Sequence, residues 1–389
     1  MRSPLKVFST PLLCLLVAVV PLGLYPVIAT DGDECATLAS ENADRCLRLN
    51  QVQVLGSHNS YKRYPAPELV SLLDLHREGW SRDINYEHRP LAGQLGLLGL
   101  RQFELDVFAD SEGGLFANPA GGRLVNDPEI EANYDVMLAP GLKVLHSQDV
   151  DYRSSCLSLK LCLSEIRDWS LQNPTHLPIM IMIELKDAAR ADWGPIRYTT
   201  PVLFSAENIH DVDREILQVF DRSHIVTPDD VRGQHETLEQ AVLADGWPTL
   251  ARSRGKVLFA LDNTGRHREM YLEGAPVLQT RILFVSAGPG HPAAAFIKMN
   301  DVMADEELIR AYVAAGYLVR TRSDIPVQEA VSGDTTRRNK ALTSGAQYIS
   351  TDYAEVSPFG SGYQVVLPKP GRCNPVSAPA GCRDEFLLE

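Results

Sequence analysis

The run LRQFELDVF, residues 100–108, carries two carboxylates at alternate positions, Glu104 and Asp106. On an extended strand alternate side chains leave the same face. Phe103, Leu105 and Val107 would then pack outward while both acids point the other way. Two such acids repel one another unless a cation or a shared proton compensates. A hard cation is the simplest compensation, and calcium takes its ligands from carboxylate and amide oxygens. Asn59, in LGSHNSYKR (55–63), and Glu184, in IMIMIELKD (179–187), offer the further oxygens. His58 stands next to Asn59, and His146 closes the run LKVLHS (142–147). Two histidines that titrate near neutral pH can take a proton from an attacking oxygen and give one to a leaving oxygen. Beside a cation that neutralises phosphoryl charge, this set suits cleavage of a phosphodiester. The residues leave open whether water or a hydroxyl of the substrate attacks. Lys186 also has a purely structural alternative, an ion pair with Glu184 or Asp106.

The groups must be delivered by a common scaffold. Eight β-rich runs recur, each ending in polar residues: 51–59, 100–108, 142–147, 179–187, 256–263, 281–288, 316–324 and 346–353. Helical patterns such as LCLSEIRDWSLQN and EELIRAYVAAG separate most of them. Strands alternating with helices predict a parallel sheet. Eight of them predict an α/β fold of the (β/α)8 TIM-barrel type, with the chemistry at the C-terminal ends of the strands. Arg320 and Arg322 sit at the seventh of those ends and Asp352 at the eighth. The stretch 109–141 is rich in Gly, Asn and Pro and is too long for an ordinary connection. It reads as an excursion at the barrel mouth after the second strand. A Rossmann fold is disfavoured, since GSHNSY after the first run is no G-x-G-x-x-G turn.

The N-terminus reads as a secretory signal over residues 1–29. Arg2 and Lys6 precede the apolar run PLLCLLVAVVPLGLYPVIA, and Val27 and Ala29 offer a small-residue cleavage site. An uncleaved anchor is the alternative, weakened by Pro21 and Pro26. The expected mature chain is residues 30–389, one barrel domain with its core at about 50–355. Losing Arg2 and Lys6 takes the net charge from −13 to −15. So acidic a protein is a poor partner for nucleic acid. Of the seven cysteines, six remain after Cys14 and fall in close pairs: Cys35 with Cys46, Cys156 with Cys162, and Cys373 with Cys382. In an exported chain these predict three local disulfides, the last tying down a Gly/Pro-rich tail. No C-x-x-C or H-E-x-x-H spacing supports zinc.

HNSY, FELDVF, VLHSQDVDY, IMIELKD, GKVLFALDN, YLVRTRSD and GAQYISTDYA, in this order, resemble the secreted calcium-dependent phosphatidylinositol-specific phospholipase C family, within the barrel phosphodiesterase superfamily. The resemblance spans roughly residues 50–355. It implies a His58/His146 acid–base pair, calcium held by Asn59, Glu104, Asp106 and Glu184, and Lys186 near the phosphate or the metal carboxylates. Arg322 and Asp352 are implied as head-group contacts. The implied substrate is a phospholipid at a membrane surface, with no obligate protein partner. The implied products are diacylglycerol and a cyclic inositol phosphate that water then opens.

Two rivals stand beside this reading. A glycerophosphodiester phosphodiesterase or sphingomyelinase-D-like enzyme also pairs a strand-end histidine with E-x-D. Its second histidine follows the E-x-D closely, however, whereas His146 lies 40 residues beyond Asp106. A calcium-dependent lipid-binding barrel without turnover is the other, and the intact histidine pair speaks against it. Gly288–Pro292 reads as a turn, His76 and His88 as surface residues, and Tyr61, Tyr64 and Trp80 as packing aromatics.

Overall fold

The computed structural model describes residue 1, residues 35–244 and residues 246–389. Apart from Met1, the expected signal segment lies outside the described residues. Ten strands form one sheet: β1 (Val52–Ser57), β2 (Gln102–Phe108), β3 (Lys143–Val144), β4 (Ile179–Leu185), β5 (Val257–Leu261), β6 (Leu283–Val285), β7 (Phe296–Lys298), β8 (Leu318–Arg322), β9 (Tyr348–Thr351) and β10 (Gly371–Cys373). Eight run parallel in the order β6-β5-β4-β2-β1-β9-β8-β7. A bridge between Ser286 and Phe296 brings the two ends of that path together. The ring is a nearly closed (β/α)8 barrel, as the run count predicts.

Two strands differ from the expectation. The run 142–147 is not the third barrel strand. Only Lys143 and Val144 are extended, and they pair antiparallel with Phe108 and Val107 as a short ribbon on the excursion after β2. The missing barrel strand is β7, which pairs parallel with β8. Its three residues follow Ala293–Ala295 and are too few to show a period.

The barrel strands are buried on both faces, as parallel strands covered by helices must be. Register assigns the faces. Glu104 lies beside Met182, Ala260 and Phe284 in successive strands, and Asp106 lies beside Glu184. Phe103, Ile181, Phe259 and Leu283 share the opposite face. Inside the barrel the Gln102 side chain crosses above Gly56, where a Cβ would stand 2.1 Å from Gln102 Oε1. Only glycine fits there. That close crossing lets Ser350 Oγ donate to Gln102 Oε1 at 2.5 Å.

The tail is tied down at two places. β10 pairs antiparallel with the first half of β1, Val52–Val54, where β2 has diverged. The Cys373–Cys382 disulfide closes the segment beyond it, and Cys35–Cys46 and Cys156–Cys162 are the other two disulfides. Among the described residues no helix is long and apolar enough to cross a membrane.

Candidate active site

The end of β1 is a built turn. Asn59 adopts a left-handed backbone with φ +47°, a conformation asparagine tolerates better than most residues. Ser60 ties the turn to β2. Its N–H donates to Glu104 O at 2.9 Å, and its Oγ accepts from Glu104 N at 2.8 Å. The Ser-His-Asn-Ser sequence thus fixes the β1 end to the backbone of Glu104 and sets His58 and Asn59 both against Tyr86.

His58 turns its Nδ1 to Asp352 Oδ1 at 2.8 Å. The second Asp352 oxygen accepts from Arg322 Nη2 at 2.7 Å. Asp352 is fully buried with both oxygens engaged, so it meets His58 and Arg322 rather than open space for a head group. Arg322 Nη1 lies 3.3 Å from His58 Nε2, and Glu104 Oε1 lies 3.6 Å from the same nitrogen. The carboxylate at Nδ1 assigns the Nδ1–H tautomer, which leaves the Nε2 lone pair facing Arg322 Nη1. Burial and the Arg322 charge push the His58 pKa below the ordinary histidine value, outweighing Asp352 and Glu104. His88, expected at the surface, donates from Nε2 to His58 O at 2.8 Å.

His146 mirrors this arrangement on the excursion. Its Nδ1 lies 2.6 Å from Asp151 Oδ2, a buried carboxylate. Ser147 and Asp151 exchange backbone hydrogen bonds of 3.0 Å, so the turn between them brings His146 and Asp151 side by side.

Glu104, Asp106 and Glu184 each offer an oxygen within 4.8 Å of the others. Lys186 Nζ stands 3.2 Å from Asp106 and 3.4 Å from Glu184, and Arg320 Nη2 stands 2.5 Å from Glu104 Oε2. Three carboxylates therefore face two cations. Asp106 is fully buried, and neither oxygen accepts a hydrogen bond. Asn59 Nδ2 donates to Tyr86 Oη at 2.7 Å while its Oδ1 is buried without a partner. Burial lifts the Asp106 pKa well above the carboxylate range, Lys186 opposes that, and repulsion from Glu184 and Glu104 adds to it. A buried carboxylate and a buried amide oxygen that accept no hydrogen bond each leave a polar group unsatisfied. The donor set is all oxygen and carries an uncompensated negative charge. It fits a hard divalent cation of the calcium type.

A family model described as "Phosphoinositide phospholipase C, Ca2+-dependent" matches residues 47–375. The chain belongs to this family. It is a family of calcium-dependent phosphoric diester hydrolases, and calcium is the ion its acidic cluster fits. Among solved structures, a calcium-dependent phosphoinositol-specific phospholipase C from a Pseudomonas species is 16% identical, covers 85% of this chain and 96% of its own, and has a TM-score of 0.49. A calcium-dependent phosphatidylinositol-specific phospholipase C from Streptomyces antibioticus is 18% identical over 83% of this chain and 99% of its own, with a TM-score of 0.49. A phosphatidylinositol-specific phospholipase C from Listeria monocytogenes is 13% identical over 84% and 96%, with a TM-score of 0.45. No curated protein matches the chain.

All nine residues singled out from the sequence lie at the ends of β1, β2, β4, β8 and β9 or on the excursion. Sequence reasoning passed over Asp151 and Tyr86, and it put Arg320 at a strand end without giving it a role. Asp151 sits inside the quoted VLHSQDVDY, and its spacing of five from His146 suits a tight turn. Nothing local marks Tyr86, and the run 316–324 marks Arg320 as a strand-end cation but not as the partner of Glu104, which is remote in sequence.

Proposed function

We propose that the mature chain, residues 30–389 as one exported catalytic domain, cleaves phosphatidylinositol at a lipid surface into diacylglycerol and an inositol phosphate. The observation that carries this reading is His58, with Nδ1 on the buried Asp352 and Nε2 3.6 Å from Glu104 of the acidic cluster, matched by His146 with Nδ1 on the buried Asp151. A histidine pair so oriented suits proton transfer at two oxygens of one phosphodiester.

His58 is the general base. Its depressed pKa keeps it neutral, and its Nε2 takes the proton of the inositol 2-hydroxyl. The 2-oxygen forms a bond to phosphorus as the bond from phosphorus to the glycerol oxygen breaks. His146, the more open of the two at 27% side-chain exposure, gives a proton from Nε2 to that leaving oxygen. The immediate product is a cyclic phosphodiester, which water opens with the two histidines in exchanged roles. Asn59, Glu104, Asp106 and Glu184 would hold calcium, which supplies charge neutralisation at the phosphoryl oxygens. Lys186, between Asp106 and Glu184, orients these acids and carries positive charge toward the phosphate. Arg322, beside His58 Nε2, is placed to meet the substrate oxygen that His58 deprotonates. Asp352 orients His58.

The test is hydrolysis of phosphatidylinositol vesicles with calcium and then with excess chelator, products being read by phosphorus NMR. A cyclic inositol phosphate formed only with calcium is expected, with loss of turnover in His58→Ala and His146→Ala. Unchanged activity in both variants overturns the proposal. Cleavage of glycerophosphocholine or sphingomyelin in preference would move the assignment to the related diesterases, and calcium-dependent vesicle binding without product would mark a binding protein.

A further inference from the structure

Asp324, just past the end of β8, takes no part in the chemistry above, yet it is a carboxylate with no exposed surface. Its Oδ2 accepts from Thr351 Oγ1 at 2.5 Å, Ser323 Oγ at 3.0 Å and Tyr363 Oη at 3.5 Å. Its Oδ1 accepts from Asp352 N at 2.9 Å and lies 3.9 Å from Arg322 Nη2. That same nitrogen donates to Asp352 Oδ2, so Arg322 stands between two carboxylates. Arg322 Nε is buried and has no acceptor. The two carboxylates are the ion-pair partners of the guanidinium, whose Nη1 lies 3.3 Å from His58 Nε2.

The fold does not need a charge at this place. Backbone pairing already joins β8 to β9, and Ser323 N donates to Ser350 O at 3.0 Å. The three hydroxyls can each donate or accept, so an amide at residue 324 would satisfy them and still receive Asp352 N. The charge itself is costly: burial and repulsion from Asp352 raise the Asp324 pKa to about 6, against the pull of Arg322. The other titratable groups around it are Tyr353, Tyr363 and Glu329, and Glu329 is paired with Arg337. Among the described residues, Arg322 is the cation that Asp324 pairs with. A buried ion pair adds little net stability over apolar side chains of equal volume. The charge is better explained by where it puts Arg322.

We infer that Asp324 is a positioning residue for the base: its Oδ1 ties the Asp352 backbone and the Arg322 guanidinium to one anchor, and so places both partners of His58. This rests on the proposed phosphodiester cleavage with His58 as general base. Asp352 fixes the tautomer of His58, and Arg322 faces the nitrogen that takes the proton. With residue 324 neutral, Arg322 keeps a single ion-pair partner and an unsatisfied Nε, and it turns toward Asp352 alone. The guanidinium then leaves its place beside His58 Nε2. Asp324 has no exposed surface and cannot touch substrate, so the loss falls on the step that His58 serves rather than on binding.

The experiment is a double-variant cycle of Asp324→Asn and Arg322→Met at mildly alkaline pH. It reads kcat and KM on phosphatidylinositol vesicles at saturating calcium, and a thermal melt of each protein. Asp324→Asn is expected to lower kcat roughly tenfold, less than the roughly 10²–10⁴ for losing a positioned base, with KM nearly unchanged. In the Arg322→Met background the same change should cost less than about twofold, because Asp324 then has no cation to hold. The melts should reverse sign between backgrounds. In wild type Asp324→Asn breaks an ion pair and should lower the melting temperature. Without Arg322 the buried Asp324 and Asp352 charges repel, so the same change should raise it. Thr351→Val removes the shortest donor to Asp324 Oδ2. It should repeat the kcat pattern at smaller size, and it serves as the second variant if Asp324→Asn does not fold. No loss of kcat in Asp324→Asn, an equal loss in both backgrounds, or a melting change of one sign in both would overturn the inference. Failure of the wild-type protein to cleave phosphatidylinositol would instead overturn the proposed function, on which the melts do not depend.

Discussion

His58 Nδ1 lies 2.8 Å from Asp352 Oδ1, and the carboxylate that receives it has no exposed surface. Such a contact fixes which nitrogen carries the proton. An amide at residue 352 keeps the shape but can turn its NH2 toward Nδ1, which favours the wrong tautomer. It also leaves Arg322 with only the more distant Asp324, at 3.9 Å, as an ion-pair partner among the described residues. Asp352→Asn is therefore expected to lower kcat by about 10²–10⁴, the range for losing a positioned base. KM for phosphatidylinositol should stay within a few-fold. Initial rates at saturating calcium measure this, and a kcat within tenfold of wild type would show that Asp352 does not orient the base.

Asp106 offers the sharpest test of the cation site, because both its oxygens lack hydrogen bonds while Glu184 and Glu104 repel it. Burial and that repulsion already disfavour its charged form in the calcium-free protein, so a neutral amide there should not harm the fold. Asp106→Asn is expected to melt at or above the temperature of calcium-free wild type. A ligand at hundredfold excess over its Kd adds about 2.7 kcal/mol to stability. Wild type should therefore melt higher with calcium, and the variant should lose most of that response. An undiminished calcium response in Asp106→Asn excludes it as a ligand.

The scaffold and the front row of the site were legible because each leaves a local trace. Glu104 and Asp106 alternate within an apolar strand, and His58 and Asn59 follow one; period-2 geometry converts those spacings into a shared direction. The third strand was misassigned because LKVLHS has strand composition, although its backbone turns antiparallel onto β2. β7 escaped notice because three residues carry no period. Asp352 was legible as a strand-end acid but not as the partner of His58, since nothing in the sequence encodes a contact across 294 positions. For the same reason Arg320 was legible as a strand-end cation but not as the partner of Glu104, 216 residues away.

The pH dependence of catalysis follows from the base. Burial and Arg322 lower the His58 pKa, so the neutral form persists below the ordinary histidine value of about 6.5. As pH falls through that lowered pKa, His58 gains a proton and base catalysis is lost. The acid limb of kcat/KM is therefore expected below about 6.5. Arg322→Met removes a cation beside Nε2 and frees Asp352 to act on His58 alone. Both changes favour the imidazolium, so the acid limb should move to higher pH. Profiles taken at saturating calcium decide this, and a limb that stays put or moves down rules out Arg322 as the group that sets it.

Arg320 joins the fold to the metal site. It is buried, donates to Glu104 Oε2 at 2.5 Å, to Ser350 Oγ at 2.8 Å and to Asn300 Oδ1 at 2.5 Å. In Arg320→Met the Glu104 carboxylate loses the guanidinium that it is paired with, and breaking one side of a buried pair costs about 3–5 kcal/mol. That cost applies in full only to the calcium-free protein, because a cation shared with Asp106 and Glu184 restores a positive partner to Glu104. The melting temperature should thus fall further without calcium than with it, and the stabilisation by calcium should exceed that of wild type. Thermal melts of both proteins at two calcium concentrations give the four numbers needed. A drop of equal size in each condition would mean that Glu104 and the ion do not share charge, and Glu104 would then leave the ligand set.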